Sequence, residues 1–255
     1  MAVLAAAVIL ASCGRQVTPD RAGTGANGLL AGQMQIKATA QGQLDFVNNY
    51  YVLPFNLTCT DSPQNCEPYA YYGNQTQNWR NWDFELVLSQ QNASSSVKAT
   101  LIQFISTQNG NVSQKVPRIV EDSIAYPHDI NVNPNCNSSG TQFCVTFFRR
   151  IFNGVVTGAT PPPPNGPAGT WYVNWLVSTP QTGPNGETTG QLEFAPGNGY
   201  QSPGGDQTFQ FPSGAPGLDP TTSFSVPWFG LTPPAWMQAP NPAAQLTNGE
   251  VSNNP

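Results

Sequence analysis

Two acidic residues offer the chain's best-spaced pair of groups for hydrolytic chemistry. Asp83 and Glu85 are two positions apart, so on an extended strand their carboxylates share one face, about 6–7 Å apart. Paired carboxylates can hydrolyse glycosidic bonds. The same pattern is also typical of a solvent-facing strand, and the apolar residues around it place Asp83, Glu85 and Ser89 outward. We therefore assign no catalytic residue here.

His128 is the only histidine, and it lies in the segment Tyr126-Pro127-His128-Asp129. A Ser-His-Asp arrangement could use Asp129 or a distant acid. However, the sequence contains no G-x-S-x-G motif to present a serine nucleophile. A single histidine also excludes a metal site built from several imidazoles. We expect a loop histidine, no bound metal and no cofactor.

Four aromatic residues, Tyr69, Tyr71, Tyr72 and Trp79, fall in a polar segment rich in Asn and Gln. Flat rings can stack on sugars while neighbouring amides bind the hydroxyl groups. Tyrosine and tryptophan also dominate the binding energy of protein interfaces. The third interpretation is that the rings fold back and form a small apolar cluster. The sequence leaves these three interpretations open.

The five cysteines divide into Cys13 and two local pairs, Cys59/Cys66 and Cys136/Cys144. An even number of cysteines in an exported domain favours disulfides, and we predict the two local pairings. Each short loop would stabilise the fold by about 2–3 kcal/mol. A four-thiolate zinc site is the alternative, but neither spacing matches the short ligand knuckle of such sites.

The N-terminus is an apolar run, Ala2 to Ala11, that leads through Leu10-Ala11-Ser12 to Cys13. A run of about ten residues suits a signal peptide and is too short to span a bilayer. The motif resembles the lipobox of bacterial lipoproteins. That resemblance implies cleavage before Cys13, a diacylglycerol on its thiol and an extracytoplasmic location on a membrane. The sequence departs from the pattern in one respect, because the first positive side chain, Arg15, follows the cysteine.

Charged residues make up only 9 % of the chain, against roughly 25 % in an average soluble protein, and the net charge is −5. The only basic cluster is Arg149-Arg150. A nucleic-acid partner is therefore excluded, because such partners require a basic surface. Beyond Cys13 no stretch is long and apolar enough to cross a membrane, so lipid would be the only membrane contact.

Period-two alternation of apolar residues recurs along the chain and predicts short strands. Pro54 cannot donate to a ladder, which predicts an edge or a bulge in its strand. Asn109-Gly110 and Asn153-Gly154 indicate hairpin turns. The clearest apolar rows are Met34/Ile36/Ala38, Tyr51/Leu53/Phe55/Leu57, Trp82/Phe84/Leu86/Leu88, Phe143/Val145/Phe147 and Trp171/Val173/Trp175/Val177. The sequence predicts an all-β antiparallel sandwich of roughly nine to ten strands.

These patterns predict four segments: a signal peptide over 1–12, a flexible tether over 13–32, a β-sandwich domain over 33–230 and a tail or arm over 231–255. The last segment is rich in Pro, Asn and Ala and shows little periodicity. An extended arm of this kind could add to the open sheet edge of a neighbouring molecule.

The resulting functional expectation is a lipid-anchored lipoprotein of the cell envelope with a non-enzymatic binding or surface-assembly role. Its partner would be a protein or a second copy of the chain. The alternative is a carbohydrate-binding module or glycan hydrolase that uses the aromatic segment together with Asp83 and Glu85.

Overall fold

A computed structural model provides the architecture of the chain. The residues that it describes are 28–57, 68, 82–109, 112–122, 129–152, 169–178, 180, 192–194, 209–213, 222–225, 242–244 and 246–254. Their regular structure is almost entirely antiparallel β-sheet, apart from one short 3₁₀ turn, Arg149–Phe152. No helix in these ranges is long and apolar enough to cross a membrane. The predicted all-β sandwich is confirmed.

The first sheet has five strands and is built around β1, which pairs with a strand on each side. Its burial alternates strictly between half-buried and buried, so one face turns inward and one outward. The β6–β7 pair is a hairpin. The strands in spatial order are β12 (Thr222–Ser225), β13 (Leu246–Asn253), β1 (Gln33–Ala40), β7 (Gln142–Phe148) and β6 (Ile130–Asn133).

The second sheet has eight strands, and β2 lies at its centre. Its path runs through β10 (Leu192–Phe194), β9 (Leu176–Ser178), β2 (Tyr50–Asn56), β3 (Phe84–Ser89), β4 (Lys98–Asn109) and β5 (Val112–Asp122). Beside the other half of β2 lies β8 (Gly169–Val173), which also pairs with β11 (Phe209–Ser213). The closing pair of the β4–β5 hairpin is Asn109 with Val112, which confirms the hairpin predicted at this position.

The two sheets pack face to face through the apolar rows that the alternation predicted, with the exception of Trp82. Aromatic rings join them: Phe55 of β2 meets Phe147 of β7 edge to face at 6.1 Å, and Tyr51 lies 5.3 Å from Phe143. Phe152, from the 3₁₀ turn, contacts rings of both sheets. Such geometries add to the free energy gained by removing the rings from water. The core therefore lies between the sheets along their whole overlap.

Pro54 lies in an interior strand, and the pairings of that strand with β3, β8 and β9 show no register shift, so the predicted edge or bulge is wrong. Opposite Pro54 the neighbouring strand is interrupted at Asn174 and Trp175, between β8 and β9. The N–H of Asn174 donates to the Pro54 carbonyl at 3.1 Å. Because the nitrogen and the oxygen of one strand residue point to the same side, the missing Pro54 donor faces this interruption.

Residues 246–253 form β13, so the expectation of an arm over 231–255 is corrected for this part. β13 lies between β12 and β1 and pairs with both. Leu246 and Val251 are 2 % exposed and belong to the core between the sheets. This segment completes the chain's own sheet rather than extending to a neighbour.

Candidate functional site

Glu85 is fully buried, so it is not the solvent-facing carboxylate that the alternation predicted beside Asp83. Its Oε2 accepts a hydrogen bond from the indole N–H of Trp82 at 3.3 Å. Trp82 itself is not in the inner row as expected. It packs in a second apolar cluster on the outer face of the eight-stranded sheet, with Val87, Ile102 and others. The strand begins only at Phe84, so the alternation does not extend back to Trp82.

Several predicted residues lie outside the described ranges. They are the lipidation site Cys13, the cysteines Cys59 and Cys66, the aromatic residues Tyr69, Tyr71, Tyr72 and Trp79, and His128. The same holds for the predicted Asn153-Gly154 hairpin. Their assigned roles stay predictions.

The predicted pairing of Cys136 with Cys144 is present, with 5.9 Å between the Cα atoms. It closes the β6–β7 hairpin. Within the loop, the Asn137 side-chain oxygen accepts hydrogen bonds from the N–H groups of Thr141 and Gln142. Gly140 adopts φ +69°, which glycine tolerates without strain. The hairpin is therefore fixed both covalently and by its own polar side chains.

The outer face of the five-stranded sheet carries amide and hydroxyl groups on most of its described positions. We call this set the amide face. The strand register brings its members into adjacent rows across β13, β1, β7 and β6. Its members are Gln33, Gln35, Thr39, Asn131, Asn133, Gln142, Thr146 and Asn248, and the buried Ser252 lies in the same rows.

Side chains of neighbouring strands are hydrogen-bonded across this face. The Gln35 amide donates to the Thr146 hydroxyl at 3.0 Å, and the Gln142 amide donates to the Thr39 hydroxyl at 2.9 Å. Their carbonyl oxygens are the remaining acceptors of these two amides. These contacts hold the amides in fixed orientations on a rigid sheet. Fixed orientation reduces the entropy lost when a ligand binds.

The single described ion pair of the amide face lies near its centre. Lys37 Nζ is 2.8 Å from Glu250 Oε1, and the two side chains are 27 % and 24 % exposed. A pair exposed to this degree contributes about 0–1 kcal/mol to stability. Its main effect is to cancel both charges, so the face is nearly neutral.

One aromatic ring borders the amide face at the end of β7. Phe148 is half-buried, and the guanidinium of Arg150 lies over its ring, 4.6 Å from the centroid. Arg150 is in turn paired with Asp129. The ring face is therefore already covered by a cation, and recognition at this face would depend mainly on hydrogen bonds.

A shallow depression of about 890 Å³ lies at one end of the sandwich, lined by residues 42–48, Gln90, Ala93, Pro242 and Ala243. Partial burial raises the pKa of the Asp45 carboxyl, but hydrogen bonds from the Asn48 side chain and from two backbone N–H groups lower it more. The net pKa lies below its ordinary value. Asp45 is thus committed to its own turn, and the depression offers no activated group.

The edge strand β5 carries features that oppose strand addition. The N–H of Phe104 donates to the Asp83 carbonyl, on the side of β3. Phe104 therefore makes no backbone hydrogen bond to Pro117, the residue opposite it on β5, and the backbone nitrogen and oxygen of Pro117 point to the open edge. Proline supplies no donor there. The ladder is also irregular between Leu101 and Ile102. Proline and irregular pairing protect edges against association. In the five-stranded sheet, which carries the amide face, the edge strand β6 is only four residues long.

Among the described residues no group of three or more His, Cys, Asp or Glu side chains could hold a metal ion. No known protein family, no curated protein and no solved structure matches the chain. The function must therefore be argued from the surfaces themselves.

The sequence contained one signal for the amide face that strand prediction alone does not use. The outward positions of β1 read Gln33, Gln35, Lys37 and Thr39, and those of β7 include Gln142 and Thr146. Such positions normally carry more charge. The register that places these amides in common rows could not be deduced from the sequence.

Proposed function

We propose that this chain is a lipid-anchored, extracytoplasmic binding protein without catalytic activity of its own, and that the amide face is its ligand-binding surface. The observation that carries the proposal is the rigid, nearly neutral array of amides and hydroxyls on the five-stranded sheet. The lipobox-type N-terminus supports the location.

The chemistry of the amide face fits a neutral, hydroxyl-rich glycan. Amide groups both donate and accept hydrogen bonds, which matches sugar hydroxyls, whereas a charged ligand would need an unpaired charge. Assembly by strand exchange is less favoured, because β13 already pairs within its own molecule and β5 is protected. A protein partner is the competing occupant of the face.

The experiment is an array of neutral and anionic oligosaccharides probed with the full chain and with variants. We expect binding to a neutral oligosaccharide to fall at least about tenfold in the double variant Gln35→Ala/Gln142→Ala, because each amide would contribute hydrogen bonds to the ligand. Gln91→Ala is the matched control. Gln91 is an exposed amide in the turn between β3 and β4.

Equal binding by all three proteins would refute the assignment to the amide face. Absence of binding to any neutral oligosaccharide would refute the glycan. In that case, photo-cross-linking from position 35 in intact membranes would show whether a defined protein partner occupies the face instead.

A further inference from the structure

Arg149 is a buried cation for which the described structure provides no partner. The residue is 0 % exposed, and none of its three guanidinium nitrogens has a hydrogen-bond acceptor. Its neighbour in the sequence, Arg150, is exposed and paired with Asp129. The single basic cluster of the chain therefore consists of one satisfied surface arginine and one unsatisfied buried arginine.

The described carboxylates with known contacts interact with groups other than Arg149. Asp129 pairs with Arg150, Glu250 pairs with Lys37, and Glu85 accepts from Trp82. Asp45 is held within its turn. Water can satisfy buried neutral groups, but a buried guanidinium without an anion is strongly disfavoured.

A second unsatisfied polar group lies at the same end of the core. Asn253 is also 0 % exposed, and neither its side-chain nitrogen nor its side-chain oxygen has a partner. Asn253 shares the inner face with Met34 and Phe147, to which the strand register connects it, and Arg149 follows two positions after Phe147. Strand spacing places the Cα atoms of Arg149 and Asn253 roughly 12 Å apart.

Gly32 lies between these two groups. Its carbonyl accepts the Arg149 N–H at 2.9 Å, and its own N–H donates to the Asn254 carbonyl at 2.8 Å. Glycine adds no side chain at this position, and Gly32 adopts φ +78°. The position is also where the strands of the five-stranded sheet end, since β1 begins at Gln33, β7 ends at Phe148 and β13 ends at Asn253.

We propose that Arg149 and Asn253 form an anion-binding site at this end of the sandwich, which takes an oxyanion of the carboxylate or phosphate class. The planar guanidinium can donate two parallel hydrogen bonds to either group, and the Asn253 amide can donate another. This site is on the inner face of the sheet and is independent of the amide face.

Thermal unfolding of the full chain tests the site, with acetate or phosphate added to a buffer free of oxyanions. A ligand that binds only the folded state raises the melting temperature with a saturable dependence on its concentration. We expect a saturable rise of several degrees for wild type with one of the two anions. The anion that gives this rise identifies the ligand as a carboxylate or a phosphate. Sodium chloride at equal ionic strength separates this from a general salt effect.

Two arginine variants distinguish the site from non-specific stabilisation, since phosphate stabilises many proteins by exclusion from their surface. Arg149→Met should lose the saturable rise, and Arg150→Met, at the exposed neighbour, should retain it. Asn253→Leu should weaken the binding by about tenfold, because one hydrogen bond to a charged ligand is lost.

Melting in the oxyanion-free buffer shows whether the partner of Arg149 is a bound ligand or a carboxylate of the chain itself. Replacing an unpaired buried charge with an apolar side chain is neutral or stabilising, so Arg149→Met should melt no lower than wild type there. A much lower melting temperature, or a variant that does not fold, would show a partner within the chain and would overturn the proposal. So would equal saturable responses in wild type and Arg149→Met, or no response of wild type to either anion.

Discussion

Tyr51 is a buried tyrosine whose hydroxyl group joins two separate segments at one end of the sandwich. It donates to the Ala243 carbonyl at 2.8 Å and accepts from the Asp45 N–H at 3.2 Å. Burial raises the pKa of the phenol well above its ordinary value, so the donating proton is retained. The ring also packs against Phe46 and Phe143. One side chain thus connects the core to the 242–244 turn.

Tyr51→Phe should keep the ring packing and lose both hydrogen bonds. We expect the free energy of unfolding to fall by about 1–3 kcal/mol, because two partly buried backbone groups lose their partner. Urea unfolding followed by circular dichroism measures this. Tyr50→Phe, one residue earlier on β2, is the matched control and should change the unfolding free energy by less than about 0.5 kcal/mol. Equal effects of the two variants would contradict the role of the Tyr51 hydroxyl.

Single-residue burial could be predicted from the sequence only where one apolar face dominates. Met34, Ile36 and Ala38 are all buried as expected. Glu85 was expected outward and does lie on the outer face, but that face is itself covered. Asn174, whose side chain donates to the Pro68 carbonyl at 2.8 Å, shows that chain passes over this part of the sheet. Local alternation reports which face a residue occupies and does not report what covers that face.

At the level of elements, β13 shows why the C-terminal strand was missed. Its inner positions include Leu246 and Val251 but also Gly249 and Asn253, and its outer positions are polar. Two large apolar residues in eight give almost no periodic signal. β13 is held in the sheet mainly by backbone pairing, since it is hydrogen-bonded to β1 on one side and to β12 on the other. The hydrophobic alternation of β1 and β7, in contrast, is sufficient on its own to predict these two strands.

Val251→Asp should unfold the sandwich or destabilise it by several kcal/mol, because it buries a charge between the sheets without a partner. The same change at Ile119, which is 49 % exposed on the edge strand β5, should cost less than about 1 kcal/mol. Thermal melting of both variants is the measurement. A Val251→Asp variant as stable as Ile119→Asp would mean that β13 contributes nothing to the core.

At the level of the whole molecule, the proposed anchor at Cys13 and the described fold occupy separate parts of the sequence. The described sandwich begins near Gln33, twenty residues beyond Cys13. The N-terminal motif and the domain were therefore predicted from different signals, the first from a short resemblance and the second from periodicity. The packing of two sheets and the position of the amide face required the three-dimensional register.

Cys13→Ser should release the protein from membranes into the soluble fraction with an unchanged far-ultraviolet circular dichroism spectrum. The reason is that acyl chains on Cys13 would be the only membrane anchor, and each buried CH₂ of a chain contributes about 0.8 kcal/mol. Fractionation with a carbonate wash, compared with wild type, is the measurement. A variant that remains wholly with the membranes would show that another contact holds it there.

The position of β13 also determines when the five-stranded sheet can form as the chain emerges from its N-terminus. Lys37 on β1 and Glu250 on β13 are 213 residues apart in sequence, yet they are direct neighbours in the sheet. Closing so long a loop must precede any gain from the pairing, which makes folding slow. The five-stranded sheet cannot be completed before residue 253 is free to pair with β1. In the exported protein that we propose, this sheet would thus stay incomplete until nearly all of the chain had crossed the membrane.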